Sequence, residues 1–187
     1  MKKRFLILLL TFCTALSMPT SVFAKSTSST NPYAPYKDFK ELYETYQQAV
    51  EENNIELQNE LEQIATDTLH EEMQEMPTLD NPILRADPDD QYWKGQFSNY
   101  FSYGYFQNTG NWNLALMPKD RGIPWTATKK SKGWNSVYSK FRTNSHWANT
   151  TCMKEQFYCH ARLFYATAAG EWNLEPWKTS ICSITCN

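Results

Sequence analysis

Apolar residues in the first half of the chain recur at the spacing of an amphipathic helix. In residues 39–50, and again in residues 57–73, they are separated mainly by three or four positions, which places them on one helix face. The two stretches flank Asn53-Asn54, where a turn is expected. Residues 36–76 are therefore predicted to form a helical hairpin, with acidic residues covering its outer surface.

Segments without such periodicity lie on both sides of this hairpin. Residues 25–35 are rich in Ser, Thr and Pro, a composition that predicts disorder. Residues 77–91 contain three prolines, at positions 77, 82 and 88, and are predicted to form a stiff linker. A basic, aromatic-rich domain is expected to follow, in residues 92–187.

The hydrophobic pattern of this second half changes to strand-like alternation. Aromatic residues alternate with small or polar residues between Phe97 and Tyr105. Alternation resumes between Trp112 and Leu116, after the turn sequence Asn-Thr-Gly-Asn. These two stretches are predicted to form a β-hairpin.

A helix and a second hairpin are expected further along. Ser131 can cap a short helix whose apolar residues between 134 and 141 share one face. Residues 157–165 alternate, and residues 171–175 alternate again after the small residues 167–170, which predicts two paired strands. The predicted fold class is α+β: an N-terminal acidic helical hairpin, then a small disulfide-stabilised domain of antiparallel hairpins with one or two short helices.

The charges divide at the predicted linker. Residues 25–90 contain sixteen acids and four bases, whereas residues 91–187 contain eleven bases and four acids. All seven tryptophans lie in the second half, between Trp93 and Trp177. The two halves therefore differ in chemistry, and an electrostatic contact between them is expected.

Residues 1–24 have the features of a cleaved signal peptide. Three cationic residues precede an apolar run that is too short to span a membrane, and Val22-Phe23-Ala24 suits a signal peptidase. The protein is therefore expected to be secreted, with cleavage after Ala24.

Cysteines are the main candidates for covalent or metal chemistry. Beyond residue 24 the chain contains Cys152, Cys159, Cys182 and Cys186. In an oxidising compartment an even set of four predicts two disulfides, with three pairings open. Zinc is the alternative, although the spacings differ from those of short zinc knuckles. No phosphate loop, nucleophile elbow or dinucleotide fingerprint is present, so no cofactor is expected.

The second predicted hairpin would assemble a polar face. If residues 157–165 pair with residues 171–175, Arg162 lies opposite Glu175 and His160 lies diagonally from Glu175. A carboxylate base, an imidazole acid and a guanidinium that holds an anion suit acid–base catalysis on a phosphodiester. The three residues are therefore catalytic candidates, and an ordinary sheet surface with an exposed Arg–Glu pair is the alternative.

Three motifs of the C-terminal half are distinctive: residues 153–160 (MKEQFYCH), residues 172–178 (WNLEPWK) and the closing Cys186-Asn187. With a weaker match that ends at Arg121, they make residues 99–187 similar to a family of exported bacterial proteins known as domain of unknown function 2599. The resemblance implies secretion and a fold unit, without an activity. It also implies a disulfide between Cys159 and Cys186, and with it one between Cys152 and Cys182. The candidate binding residues are Gln156, Asn173, Trp177 and Arg121.

Two classes of function are consistent with these features. The first is a secreted module that binds an anionic polymer or a glycan of the cell envelope or a host surface, since this requires only a basic, aromatic-rich surface. The second is a secreted nuclease-like or phosphodiesterase-like toxin that is masked by its acidic segment. An acidic pro-segment that is removed by cleavage near Arg85 is compatible with either class.

Overall fold

The computed structural model describes residues 31–75, 88–162 and 170–186. The helices in these ranges are α1 (Phe39–Glu51), α2 (Ile55–Glu75), α3 (Pro88–Tyr100), α4 (Ala127–Phe141) and α5 (Thr150–Arg162). The strands are β1 (Phe101–Asn108), β2 (Trp112–Pro118) and β3 (Trp172–Leu174), which form an antiparallel sheet in the order β1-β2-β3. The α+β class is thus confirmed, while the predicted signal peptide lies outside the described residues.

Helices α1 and α2 follow the helical spacing of their apolar residues. Helix α1 begins after Asp38, whose side chain caps it, and Asn53 turns the chain with a φ of 52°. Asparagine tolerates this left-handed conformation better than most residues. Leu42 of α1 packs with Leu61 of α2 and with Ile184 of the C-terminal tail, so the tail forms part of their core.

Helix α2 also contributes to the main core of the molecule. Leu69 belongs to the same buried cluster as Phe97, Leu116 and Trp172. The described residues lie in one compact unit, and α1 and α2 are not a separate module within it. The linker predicted at 77–91 stays a prediction over residues 77–87, which lie outside the described ranges, whereas the residues from 88 onwards already belong to α3.

The residues just before α1 are more ordered than their composition predicts. Residues 31–35 form turns, in which Pro32 accepts a hydrogen bond from the hydroxyl of Thr68 at 3.0 Å. Tyr33 packs against the cluster that α1 and α2 form. The predicted disorder is therefore wrong for these five residues, because they find partners on the helices. Residues 25–30 lie outside the described ranges.

Strands β1 and β2 form the predicted hairpin, with Asn108 opposite Trp112 at its turn. Strand β3 pairs with the other edge of β2. The predicted strand start at Phe97 is wrong, because Phe97 lies on α3 and stacks on Phe101 with ring centroids 5.0 Å apart. The four-residue spacing of these two rings is that of a helix.

Helix α4 begins earlier than predicted. Thr126, rather than Ser131, caps it, since the side chain of Thr126 accepts a hydrogen bond from the amide of Lys129. Trp134 and Val137 are buried, so the predicted apolar face is confirmed.

The strand predicted for residues 157–165 is wrong as far as residue 162, because these residues belong to α5. Phe157, Cys159 and Ala161 are buried, as alternation requires, but all the residues between them and Arg162 are buried as well. A helix that is covered on all sides need not show helical periodicity, so the alternating polar and apolar residue types of this stretch resemble those of a strand. Residues 157–162 therefore do not form the predicted strand opposite residues 171–175, and β3 pairs with β2 instead. The rest of the predicted strand, residues 163–165, lies outside the described ranges.

One of the two expected disulfides is confirmed. Cys159 is bonded to Cys186, with their Cα atoms 5.4 Å apart, whereas Cys152 and Cys182 are free. Cys152 and Cys159 lie seven residues apart on α5, which separates them by roughly 10 Å. The amide of Cys186 donates to the carbonyl of Cys182, so a single turn holds both near the Cys159 end of α5. The predicted bond between Cys152 and Cys182 is therefore wrong.

The disulfide is compatible with an oxidising, extracellular compartment. In the described part of the chain, none of the helices combines the length and the apolar character that a membrane span requires.

Candidate binding pocket

The structure places His160 in the core rather than on an exposed sheet face. It lies on α5 with 9% of its surface exposed, and its ring stacks on Trp172. Burial disfavours the charged imidazolium and lowers the pKa of His160 to about 4. A polymer substrate would not reach a side chain that is covered in this way.

Arg162 connects elements of the fold. Its Nη2 donates to the carbonyl of Ala65 on α2 at 3.1 Å and to that of Ser183 in the tail at 2.9 Å. The guanidinium also lies over the ring of Phe39, 5.5 Å from its centroid. Burial lowers the pKa of this guanidinium. The predicted cross-strand pair with Glu175 is absent from these contacts, because Arg162 ends a helix and faces α2.

The side chain of Gln156 contacts Glu175, but it binds the backbone of Glu175 and not the carboxylate. Gln156 Oε1 accepts a hydrogen bond from the Glu175 amide at 2.7 Å, and its Nε2 donates to the Glu175 carbonyl at 3.2 Å. The Glu175 carboxylate pairs with Lys178 at 2.6 Å. Gln156 thus fixes the turn after β3, and the charge of Glu175 is balanced locally.

The other predicted binding residues lie nearer the surface. Asn173 accepts a hydrogen bond from Gln107 Nε2 at 2.9 Å on the sheet, Trp177 is 48% exposed, and Arg121 is exposed. The structure therefore separates the predicted residues. It does not bring the three catalytic candidates together on one exposed face, but it keeps Asn173, Trp177 and Arg121 accessible.

A pocket bordered by two tryptophans lies at the end of the sheet where β1 turns into β2. Its volume is about 270 Å³, near the lower end of small-molecule sites, at roughly 300 Å³. We call it the aromatic pocket. Its lining residues are Asn108, Gly110, Asn111, Trp112, His146, Ala148, Pro176 and Trp177.

Trp112 is held in place by His146. The two rings are stacked with centroids 3.7 Å apart and 12° between their planes, and His146 also lies 5.8 Å from the ring of Phe106. Trp112 nevertheless remains 40% exposed. The indole is thus oriented before a ligand arrives, which lowers the entropy that binding would cost.

Two hydrogen bonds fix Trp177 and the residue before it. Its Nε1 donates to Asn113 Oδ1 at 3.2 Å, and the carbonyl of Pro176 accepts from Asn149 Nδ2 at 2.8 Å. Asn149 has a φ of 46°, and it joins the loop that carries His146 to the turn that carries Trp177.

The lining of the aromatic pocket is rich in rings and amides. None of its side chains is a carboxylate, an ammonium or a guanidinium. Asn108 and Asn111 carry amides, which both donate and accept hydrogen bonds, and the indoles offer apolar faces. This combination suits a ligand that has an apolar ring face and hydroxyl groups at its edge.

The basic half carries less free positive charge than its composition indicates. Arg162 is buried, and Lys140 lies over the ring of Phe97 with its ammonium 3.9 Å from the centroid. Four further bases form ion pairs: Lys129 with Asp120, Lys130 with Glu72 at 2.8 Å, Arg142 with Asp90 at 3.1 Å, and Lys178 with Glu175. The pair between Lys130 and Glu72 joins the basic half to the acidic half.

Sequence reasoning identified Trp177 but missed the residues that build the pocket around it. In the sequence Trp112 is one residue of an alternating strand, and His146 lies in no motif. Three asparagines lie close together at this hairpin end, at positions 108, 111 and 113. A tight turn requires fewer, so this excess of amides is a sequence signal for a binding site. Within the described ranges, no group of three or more His, Cys, Asp or Glu side chains could hold a metal ion.

Residues 101–186 match the model of a family described as "Protein of unknown function (DUF2599)". The match confirms the resemblance that the C-terminal motifs indicate, and it covers all three strands and the aromatic pocket. No match to the chain is found among curated proteins or among solved structures.

Proposed function

We propose that this protein binds an uncharged glycan at the aromatic pocket. The observation that carries the proposal is the pair of half-exposed tryptophans, Trp112 and Trp177, which border a pocket whose other polar groups are amides and an imidazole. Pyranose rings stack their C–H faces on indoles and exchange hydrogen bonds with amides through their hydroxyls.

The chemistry of the pocket distinguishes a glycan from an anionic polymer. A polyanion site concentrates free lysine and arginine side chains, which release counterions on binding. Here the lining has none, and several bases of this half are paired or buried. We therefore favour the glycan over the anionic polymer.

Secretion after a cleaved signal peptide would place such a module where cell-envelope or host glycans are exposed. The disulfide between Cys159 and Cys186 is compatible with that location. Catalysis at His160 and Glu175 has weaker support, because His160 is buried and Glu175 is paired with Lys178.

Retention on insoluble chitin and cellulose, together with tryptophan fluorescence titrations of their soluble oligosaccharides, tests the proposal. Trp112→Ala and Trp177→Ala should each weaken binding by about tenfold or more, as truncation of a central aromatic does at binding hot spots. Tyr92→Ala is the matched control, since Tyr92 is 57% exposed on α3 and does not line the pocket. Its binding should equal that of the wild type.

Salt dependence separates this function from its alternatives. Binding of a neutral glycan should change little between low salt and about 0.15 M salt, whereas polyanion binding is screened over this range. Retention on heparin or single-stranded DNA that falls steeply with salt, without retention on either neutral polysaccharide, would contradict the proposal.

A further inference from the structure

The face of the sheet that carries Tyr105, which we call the outer face, presents exposed tyrosine rings beside partly or fully buried amides. In the strand register, Tyr105 lies opposite Ala115, which lies opposite Asn173, and Gln107 lies opposite Asn113. Paired residues of antiparallel strands project from the same face, and so do residues two apart on one strand. These side chains therefore share the outer face with Tyr103.

Hydrogen bonds fix the polar groups of the outer face. The hydroxyl of Tyr103 contacts the Glu171 carboxylate at 3.2 Å, and Gln107 Nε2 donates to Glu171 at 3.1 Å and to Asn173 at 2.9 Å. Tyr103 and Tyr105 remain 41% and 47% exposed, with ring centroids 5.8 Å apart. The outer face thus combines an aromatic platform with oriented hydrogen-bonding groups.

The outer face is continuous with the aromatic pocket. Gln107 lies opposite Asn113, and Asn113 Oδ1 accepts the indole proton of Trp177, which lines the pocket. From Tyr103 to Gln107 the strand alone extends about 13 Å. The combined surface is therefore longer than one sugar ring.

We propose that the outer face extends the aromatic pocket into a track for a linear, neutral oligosaccharide of several units. This inference rests on the proposed function and adds the length and shape of the ligand to it. A reducing or non-reducing end unit occupies the pocket between Trp112 and Trp177, and the following units lie along Gln107, Tyr105 and Tyr103. Glu171 supports a neutral chain, because its carboxylate accepts hydroxyl protons and repels a polyanion.

The test compares long and short ligands on the full mature chain. Fluorescence titrations would use chitohexaose and chitobiose, with cellohexaose and cellobiose as a second pair. The wild type should bind the hexamer of one series about tenfold more tightly than its dimer, a difference of about 1.4 kcal/mol. Tyr105→Ala should remove this advantage and leave the affinity for the dimer unchanged, whereas Trp112→Ala should weaken both. Thermal unfolding of each variant controls for folding.

Three results would count against the track, and they separate it from the proposed function. Equal affinities for hexamer and dimer, or a hexamer advantage that survives Tyr105→Ala, would overturn the track and leave the pocket intact. Failure of the wild type to bind any of the four oligosaccharides would overturn the proposed function and the track with it.

Discussion

The imidazole of His160 lies parallel to the indole of Trp172, with ring centroids 5.8 Å apart and 9° between the ring planes. Both side chains are buried in the main core. Burial lowers the pKa of His160 to about 4, against about 6.5 for an unperturbed histidine. The stack therefore depends on a neutral imidazole.

This relationship predicts an acid-sensitive fold. Between pH 6.5 and pH 4 the unfolded chain binds a proton at position 160 that the folded chain does not, so the free energy of unfolding falls as the pH falls. Over this window the loss amounts to about 3 kcal/mol, at 1.36 kcal/mol for each unit of pKa. Urea unfolding of the wild type and of His160→Phe, which keeps a ring against Trp172 but cannot titrate, would measure it.

The difference in unfolding free energy between these two proteins isolates His160 from the carboxylates, which titrate in both. The unfolding free energy of His160→Phe minus that of the wild type should be largest near pH 4, fall as the pH rises, and become constant above about pH 6.5. A difference that does not vary from pH 4 to pH 7 would show that His160 titrates normally, and hence that it is not buried.

Elements with one buried face could be predicted from the sequence, whereas elements buried on all sides could not. Helix α1 and strand β1 keep exposed positions, so the period of their apolar residues was visible. Strand β2 is the exception, because it is buried from residue 113 to residue 116 and was revealed by its alternating residue types beside a clear turn sequence. Helix α5 is enclosed by the sheet, by α2 and by the tail, and even Gln156, His160 and Arg162 are buried on it. These polar residues contact groups in the interior of the protein. A sequence pattern that separates exposed from buried positions therefore does not reveal the helix.

The candidate pocket could be predicted only in part. Trp177 stood in a distinctive motif, but Trp112 and His146 are more than thirty residues apart in the chain and meet through tertiary packing. The assumed register of the second hairpin collected His160, Arg162 and Glu175 on one face. The true helix turns His160 towards the core and Arg162 towards α2, while Glu175 lies in the turn after β3 and pairs with Lys178. The shared polar face was therefore a product of the strand assignment.

Arg162 is predicted to be essential for stability rather than for binding. Its truncation to Ala removes both charge-assisted hydrogen bonds, to Ala65 and to Ser183, and should lower the free energy of unfolding by roughly 2 to 3 kcal/mol. Arg162→Lys should be only partly tolerated, because the shorter lysine side chain does not carry its ammonium as far as Nη2, the nitrogen that donates both bonds. Denaturant unfolding gives both values.

The matched control for this prediction is Arg121→Ala, since Arg121 is exposed and should contribute little to the fold. If Arg162→Ala unfolded at the same denaturant concentration as Arg121→Ala, the hydrogen bonds from Arg162 to α2 and to the tail would not contribute to stability.

The four cysteines beyond residue 24 are predicted to form one disulfide and two free thiols. Alkylation of the denatured, unreduced protein should therefore label Cys152 and Cys182, and peptide mapping should recover Cys159 joined to Cys186. In the native protein Cys182 should react first, because Cys152 is buried and burial raises the pKa of its thiol. A recovered peptide that joins Cys152 to Cys182 would contradict this assignment.

Reduction of the Cys159–Cys186 bond should cost stability. It releases a loop with a sequence separation of 27 residues, worth about 3 to 4 kcal/mol in the chain-entropy model. Thermal unfolding of the Cys152→Ser/Cys182→Ser double variant, with and without reductant, would measure this loss without interference from the free thiols.

Two helical glycines are predicted to respond oppositely to alanine. On α4, a Cβ at Gly133 would lie 2.6 Å from Cζ3 of the buried Trp125 and 3.3 Å from Cζ of Phe157. On α3, a Cβ at Gly95 would meet nothing within 4 Å. Alanine raises helix propensity by about 1 kcal/mol at either position, but overpacking typically costs about 1 to 3 kcal/mol.

Gly95→Ala should therefore raise the free energy of unfolding by up to about 1 kcal/mol. Gly133→Ala should lower it, because Trp125 contacts Phe101, Phe157 and Trp172 and cannot move without disturbing that cluster. Urea unfolding of the two variants beside the wild type measures both changes. If Gly133→Ala proved as stabilising as Gly95→Ala, the result would contradict the close packing of α4 against Trp125.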